Sequence, residues 1–159
     1  MKSGPLLLTL LVLALGLPLA QGAASGAAEL RYVAHGGVLA AGPPVADGVR
    51  TGNTLYLAGH LGIDPCTGQV PVDRGTEARL LMESVRRTVL AAGLRMDDLV
   101  SVTVFSTDPA LNETFDAVYR SYFHGRSYPA RGFVGASSLQ QGAHFEVLGV
   151  AVERPRLQL

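Results

Sequence analysis

The chain has 159 residues, 48% of them hydrophobic and 16% charged, and its formal net charge is zero because Lys+Arg 13 balances Asp+Glu 13. That length supports one hydrophobic core and leaves too little for two, while the lack of a net field argues against nucleic acid or an anionic membrane surface as partner. Cys66 is the one cysteine, so no intramolecular disulfide can form, and stability has to come from packing or assembly.

The first segment reads as a leader. Met1-Lys2 precedes an apolar run from Leu6 to Leu15, the breakers Gly16 and Pro18, and small residues through Ala24. This is the layout of a secretory signal over residues 1–24. The run is shorter than the roughly 20 residues that span a bilayer. The mature protein is therefore expected to be exported, periplasmic or secreted, with no membrane attachment after cleavage. Residues 30–159 are expected to form a single domain.

Leu30 to Ala34 is a short strand candidate, followed by a Gly/Pro-punctuated loop from Gly36 to Pro44. Val49 to Gly59 reads as strand around a Gly52-Asn53 turn, with β-branched and aromatic content in Thr54-Leu55-Tyr56-Leu57. Asp64 to Gly68, which contains Cys66, has turn chemistry. From Thr76 to Ala92 the apolar residues Ala78, Leu81, Val85, Val89 and Ala92 recur three or four apart, with Glu77, Arg79, Glu83, Arg86 and Arg87 opposite. That spacing predicts an amphipathic helix stopped by Gly93. Val100, Val102 and Val104 then alternate with Ser101, Thr103 and Phe105 as a two-faced strand.

Asp108-Pro109 supplies an N-cap and a first-turn proline for a second helix, whose stripe is Leu111, Phe115, Val118, Tyr119 and Tyr122, with Gly125 as its stop. Ala130 to Ala136 and His144 to Val152 complete the chain as strands joined by the polar connection Ser137 to Gly142. The order is β-β-α-β-α-β-β. Two helices cover one face of such a sheet. The other face, carrying Leu148 and Val150, is expected to be buried against another copy of the chain.

Two charges fall inside these last strands: Arg131 in Pro129-Ala130-Arg131-Gly132-Phe133-Val134, and Glu146 in Phe145-Glu146-Val147-Leu148. A guanidinium costs several kcal/mol to desolvate unless an anion faces it, and its planar fork matches a carboxylate. Arg131 is therefore read as a clamp for a small carboxylate. On spacing alone, a structural ion pair with Glu146 competes with that role.

The motifs Gly-Asn-Thr-Leu-Tyr-Leu-Ala-Gly at 52 to 59, Leu-Ala-Ala-Gly-Leu at 90 to 94, Val-Thr-Val-Phe at 102 to 105, Pro-Ala-Arg at 129 to 131 and Phe-Glu-Val at 145 to 147 together resemble the RidA/YjgF family. The resemblance implies an α+β, chorismate-mutase-like fold: a mixed sheet with two helices on one face, assembled as a homotrimeric barrel with ligand clefts between subunits. It also implies hydrolysis of reactive 2-imino or enamine acids to 2-keto acids and ammonia, with no cofactor. The family arginine maps onto Arg131 and the family glutamate onto Glu146, with Ala58, Gly59, Phe133 and Val45 at cleft-lining positions. Arg131 would hold the substrate carboxylate while Glu146 positions or activates water.

This chain departs from the better-known branch of that family. Val45 stands for a tyrosine, Ala58-Gly59-His60 for Ser-Gly-Gln, Asp116 for an asparagine and Phe133 for a cysteine. Two hydroxyl donors are thereby lost. The second functional class is accordingly a trimeric binder of small carboxylates or metabolites that turns nothing over. The endoribonuclease label attached to the family ranks last in a neutral chain without a basic patch. His60 is read as a partly exposed strand-end residue outside the catalytic set. His35, His124 and His144 lack ligand spacing, so no metal is expected. Tyr119, Tyr122 and Phe123 are read as core.

Overall fold

The computed structural model describes residues 29–34, 45–125 and 127–155. The leader at 1–24 and the loop from Gly36 to Pro44 lie outside the described residues.

Among the described residues six strands form one sheet: β1 (Leu30–Val33), β2 (Gly48–Thr51), β3 (Thr54–Leu61), β4 (Leu99–Ser106), β5 (Ala130–Gly135) and β6 (Phe145–Val152), in the spatial order β1-β2-β3-β6-β4-β5. All neighbours are antiparallel except β4 and β5, which run parallel. The segment from Val49 to Gly59 is a hairpin of β2 and β3, turned at Gly52-Asn53 as the sequence predicts. Gly52 turns it with φ 56°, a left-handed value that glycine adopts without a Cβ penalty.

Helix α1 (Arg74–Ala91) begins two residues before the expected start at Thr76, because Asp73 caps it: its Oδ1 accepts from Thr76 N and Thr76 Oγ1, both at 2.7 Å. At the other end Gly93 takes φ 81°, and Leu94 N donates to Val89 O at 3.0 Å, so the last carbonyls are satisfied. The buried stripe of α1 is Ala78, Leu81, Met82, Val85 and Val89. The second helical segment starts as a 3₁₀ turn at Pro109–Leu111, with Asp108 Oδ1 accepting from Ala110 N at 2.8 Å. It continues as α2 (Asn112–Tyr119) and closes with a 3₁₀ turn to Tyr122, short of Gly125.

Both helices pack on one face. Leu55 and Leu57 of β3, Val102 and Val104 of β4, and Phe145, Val147 and Ala151 of β6 point into that core, joined by Phe115, Tyr119 and Phe123. One strand breaks simple alternation. The pairing of β4 with β6 shifts between Leu99 and Ser101, so Leu99 takes the buried slot while Val100 is exposed. A bulge inserts one residue, which is why the Val100/Val102/Val104 period places Val100 on the wrong face.

The opposite face carries Tyr32, Tyr56, Leu148, Val150, Phe105 and Val134, as the register requires. In the single chain Tyr56 remains 53% exposed and Val134 42%, with Leu148 and Val150 half-buried.

Candidate active site

Arg131 lies beside Val102 on β4, and in a parallel pair adjacent residues share a face. Its side chain therefore points to the helix side, where α2 supplies its surroundings. Nη1 is 2.6 Å from Asp116 Oδ1, Nη2 donates to Asn112 Oδ1 at 3.4 Å, and the guanidinium carbon stands 4.8 Å from the centre of the Tyr119 ring. Asp116 Oδ2 is also 3.3 Å from Arg120 Nη2. Asp116, Tyr119, Arg120 and Arg131, with Tyr128 and Pro129, line a cavity of about 170 Å³.

Tyr119 is 3% exposed, and its hydroxyl has no hydrogen-bond partner among the described residues. Burial pushes its pKa up to about 12, against the pull of Arg131, so the hydroxyl stays a neutral donor at ordinary pH. Tyr119 thus belongs to the core, as its helical spacing predicts, and also forms one wall of the arginine cavity.

Glu146 occupies the other side of the sheet. It lies beside Phe105 on β4 and Leu61 on β3, and among the described residues its half-buried carboxylate has no ion-pair or hydrogen-bond partner. Its neighbour is Gly59. The β3/β6 register slips between Leu57 and His60, so Ala58 and Gly59 together oppose Leu148. A Cβ on Gly59 would stand 1.9 Å from Glu146 Oε1. Only a glycine leaves the carboxylate room to lie across the bulge. Val45 is exposed and lies two residues before Asp47, whose carbonyl accepts from Ala58 N at 3.0 Å. It therefore sits at the Ala58–Gly59 end of the hairpin.

The six candidates thus divide into two groups. Arg131 and Phe133 share the helix face, and Phe133 packs its ring 6.2 Å from Phe115 at the margin of the core, so it is not beside Glu146. Glu146, Gly59, Ala58 and Val45 gather at the bulged end of β3. Arg131 and Glu146 project from opposite faces, two strands and three residues apart along β4 (Val102 to Phe105), roughly 14 Å between Cα atoms. The expected Arg131–Glu146 bridge within one chain does not form; Asp116 holds the guanidinium instead.

His60 also departs from expectation. It is 4% exposed and points into the helix side, its Nε2 donating to Asp47 O at 3.2 Å and its Nδ1 paired with Ser84 Oγ at 3.0 Å. The bulge rotates it there, so it serves packing rather than the cleft. His144 pairs with Glu77, a fully buried carboxylate whose Oε1 accepts from His144 N at 2.6 Å and Phe145 N at 3.1 Å, and whose Oε2 meets Arg74 and His144 Nδ1. No cluster of three or more metal-ligating side chains occurs among the described residues.

Periodicity alone passed over Asp116, Asn112 and Tyr128. A signal for Asp116 was present: it lies three residues before Tyr119 and four before Arg120, on one side of a short helix.

Residues 38–153 match the family described as Endoribonuclease L-PSP. Over 113 residues the chain is 36% identical to the 2-iminobutanoate/2-iminopropanoate deaminase of Escherichia coli (strain K12), covering 70% of this chain and 88% of that protein. Among solved structures, the YjgF gene product from E. coli superposes with TM-score 0.71 at 34% identity, covering 78% of this chain and 99% of that one. E. coli TdcF with bound serine gives TM-score 0.67 at 34% identity, covering 72% and 91%. The mixed α+β architecture, one six-stranded sheet and two helices, is shared with these neighbours. The chain belongs to the Endoribonuclease L-PSP family, the same RidA/YjgF family that its motifs resemble.

Proposed function

We propose that the protein hydrolyses 2-imino and enamine acids to 2-keto acids and ammonia in a cleft completed by a second copy of the chain. One observation carries this: a guanidinium at a cavity on one side of the sheet and, on the other, a carboxylate with no partner among the described residues. Each is half of a site, and two groups on opposite faces can meet only across a subunit boundary. The apolar open face, with Tyr56 53% exposed, supports assembly, and the family resemblance supports a trimer.

In that cleft Arg131 holds the substrate carboxylate. Glu146 takes a proton from water as the oxygen adds to the imine carbon and returns it to the nitrogen; the hydroxyl proton follows as C=O forms, the C–N bond breaks and ammonia leaves. The imine carbon is already electrophilic, so positioning and one general base suffice, the latter contributing about 100 to 10,000-fold. The name of the E. coli relative supports this substrate class.

The test is to generate 2-iminobutanoate in situ with an amino-acid oxidase and follow its decay with wild type, Arg131→Ala and Glu146→Ala, each checked by light scattering for assembly. Acceleration by wild type that both substitutions remove supports hydrolysis; decay no faster than the buffer rate with assembled wild type overturns it. Binding without turnover has one feature in its favour: Val45 and Ala58 offer no hydroxyl where the family carries two. An affinity for 2-keto acids that is lost in Arg131→Ala, without imine decay, would establish that role. Export of the mature chain is also part of the proposal, resting on the Met1 to Ala24 sequence. Protein retained in the cytoplasm and still beginning at Met1 would overturn it.

A further inference from the structure

The Arg131 cavity is not a simple cationic socket. Both terminal nitrogens of the guanidinium already face an oxygen, Asp116 Oδ1 at 2.6 Å and Asn112 Oδ1 at 3.4 Å, and one of these is charged. The second oxygen of Asp116 meets Arg120, but that side chain is 66% exposed and works in water, while Arg131 and Asp116 are 21% and 19% exposed. The less screened pair at the cavity is therefore one arginine and one carboxylate. Any acid docking on Arg131 brings its own carboxylate against Asp116.

From this arrangement we infer that Asp116 is a specificity-determining residue, selecting ligands that carry a positive charge on the carbon next to their carboxylate over ligands that are simple anions. The inference rests on Arg131 being the carboxylate clamp. A plain anion meets Asp116 as a like charge within a few ångströms, a placement that disfavours ionised carboxylates by a unit or more of pKa and so by about tenfold or more in equilibrium. A zwitterion escapes the penalty. Its carboxylate goes to Arg131 while its α-iminium or α-ammonium nitrogen, two bonds from the carboxyl carbon, answers Asp116. The pocket then contains two alternating charge pairs instead of two anions competing for one cation. An asparagine at 116 would keep the size of the side chain yet carry no charge, so the discrimination belongs to the acid's charge and not to its shape.

The reaction makes this selectivity useful. A protonated 2-imino acid is zwitterionic; with one water it gives a 2-keto acid anion and an ammonium ion, the C=N bond being replaced by C=O. Charge and atoms balance, but the organic product has lost the cation that made it acceptable beside Asp116. The site thereby favours substrate over product, and product leaves readily.

The test compares two ligands of one carbon skeleton, 2-oxobutanoate and 2-aminobutanoate, by calorimetric or ligand-observed NMR titration of the assembled protein. Wild type, Asp116→Asn, Asp116→Ala and Arg131→Ala are titrated, with folding checked by circular dichroism. Wild type is expected to prefer the amino acid. Asp116→Asn is expected to tighten 2-oxobutanoate about tenfold while leaving 2-aminobutanoate unchanged or weaker, so the preference falls or inverts, and 1 M salt should shrink the preference in wild type. Asp116→Ala gives the same direction should the asparagine variant fail to fold. If both ligands bind, both are lost in Arg131→Ala, and neither Asp116 variant alters their ratio, the selectivity assigned to Asp116 is wrong while the clamp stands. If neither ligand binds wild type, or Arg131→Ala binds as wild type does, the clamp itself is wrong and Asp116 selectivity goes with it.

Discussion

The two faces of the sheet use the same alternating strands to opposite ends. On the helix side Glu77 is completely buried and receives two backbone N–H groups, a guanidinium and an imidazole. On the open side Glu146, one residue along from Phe145, lies half-buried across Gly59 with no partner among the described residues. A carboxylate with every lone pair answered is a structural tie. One that is held in place by shape and left unanswered is available for chemistry.

Removing each carboxylate should separate the two roles. Glu146→Ala is expected to lower imine hydrolysis by about 100 to 10,000-fold while shifting the urea unfolding midpoint little. Glu77→Ala should do the reverse, destabilising the fold by about 3–5 kcal/mol because Arg74 and two N–H groups are left without their acceptor. A Glu146→Ala protein that loses stability instead of rate would erase the contrast. Gly59→Ala sharpens it without touching either acid: the new methyl claims the space of Glu146 Oε1, so turnover should fall at least about tenfold, as expected when a reacting group is displaced by about an ångström, with thermal stability nearly unchanged.

Tyr119 gives a smaller, pH-dependent effect on the covered side. Folding raises its pKa from 10.0 to about 12 through burial, so the folded protein keeps a proton that the unfolded chain gives up. The corresponding stability, on the order of 2 kcal/mol, is present in full below pH 10 and disappears as pH climbs through about 12. Tyr119→Phe should therefore flatten alkaline unfolding in that window. At pH 7 it should be neutral or slightly stabilising, since it removes a hydroxyl with no hydrogen-bond partner among the described residues. Unfolding curves that superpose from pH 9 to 12 would show that Tyr119 does not couple to stability.

Much of this was legible in the residues. α1 announced itself because Ala78, Leu81, Val85 and Val89 keep a helical period and Gly93 ends it. The parity of β6 put Glu146 with Leu148 and Val150, away from the helices, and the parity of β5 put Arg131 with Phe133. What could not be read was register. Bulges at Leu99/Ser101 and Leu57/His60 change a strand's phase at a point that composition does not mark, and so moved Val100 outward and His60 inward. Nor could spacing pair Arg131 with Asp116, which lie fifteen positions apart (131 − 116) on different elements and meet only once α2 is docked.

The Ala58–Gly59 bulge has a last consequence. Between Leu57 and His60 the strand advances three residues while β6 advances two, from Gly149 to Val147. Excising Gly59 would restore plain two-residue alternation, with Leu57 and His60 still inward and Leu61 still outward. The hairpin therefore has no need of this extra residue to fold, and a shortened chain should assemble its core yet hold Glu146 in a different place. Scaffold and chemistry are, at this one position, separately inheritable.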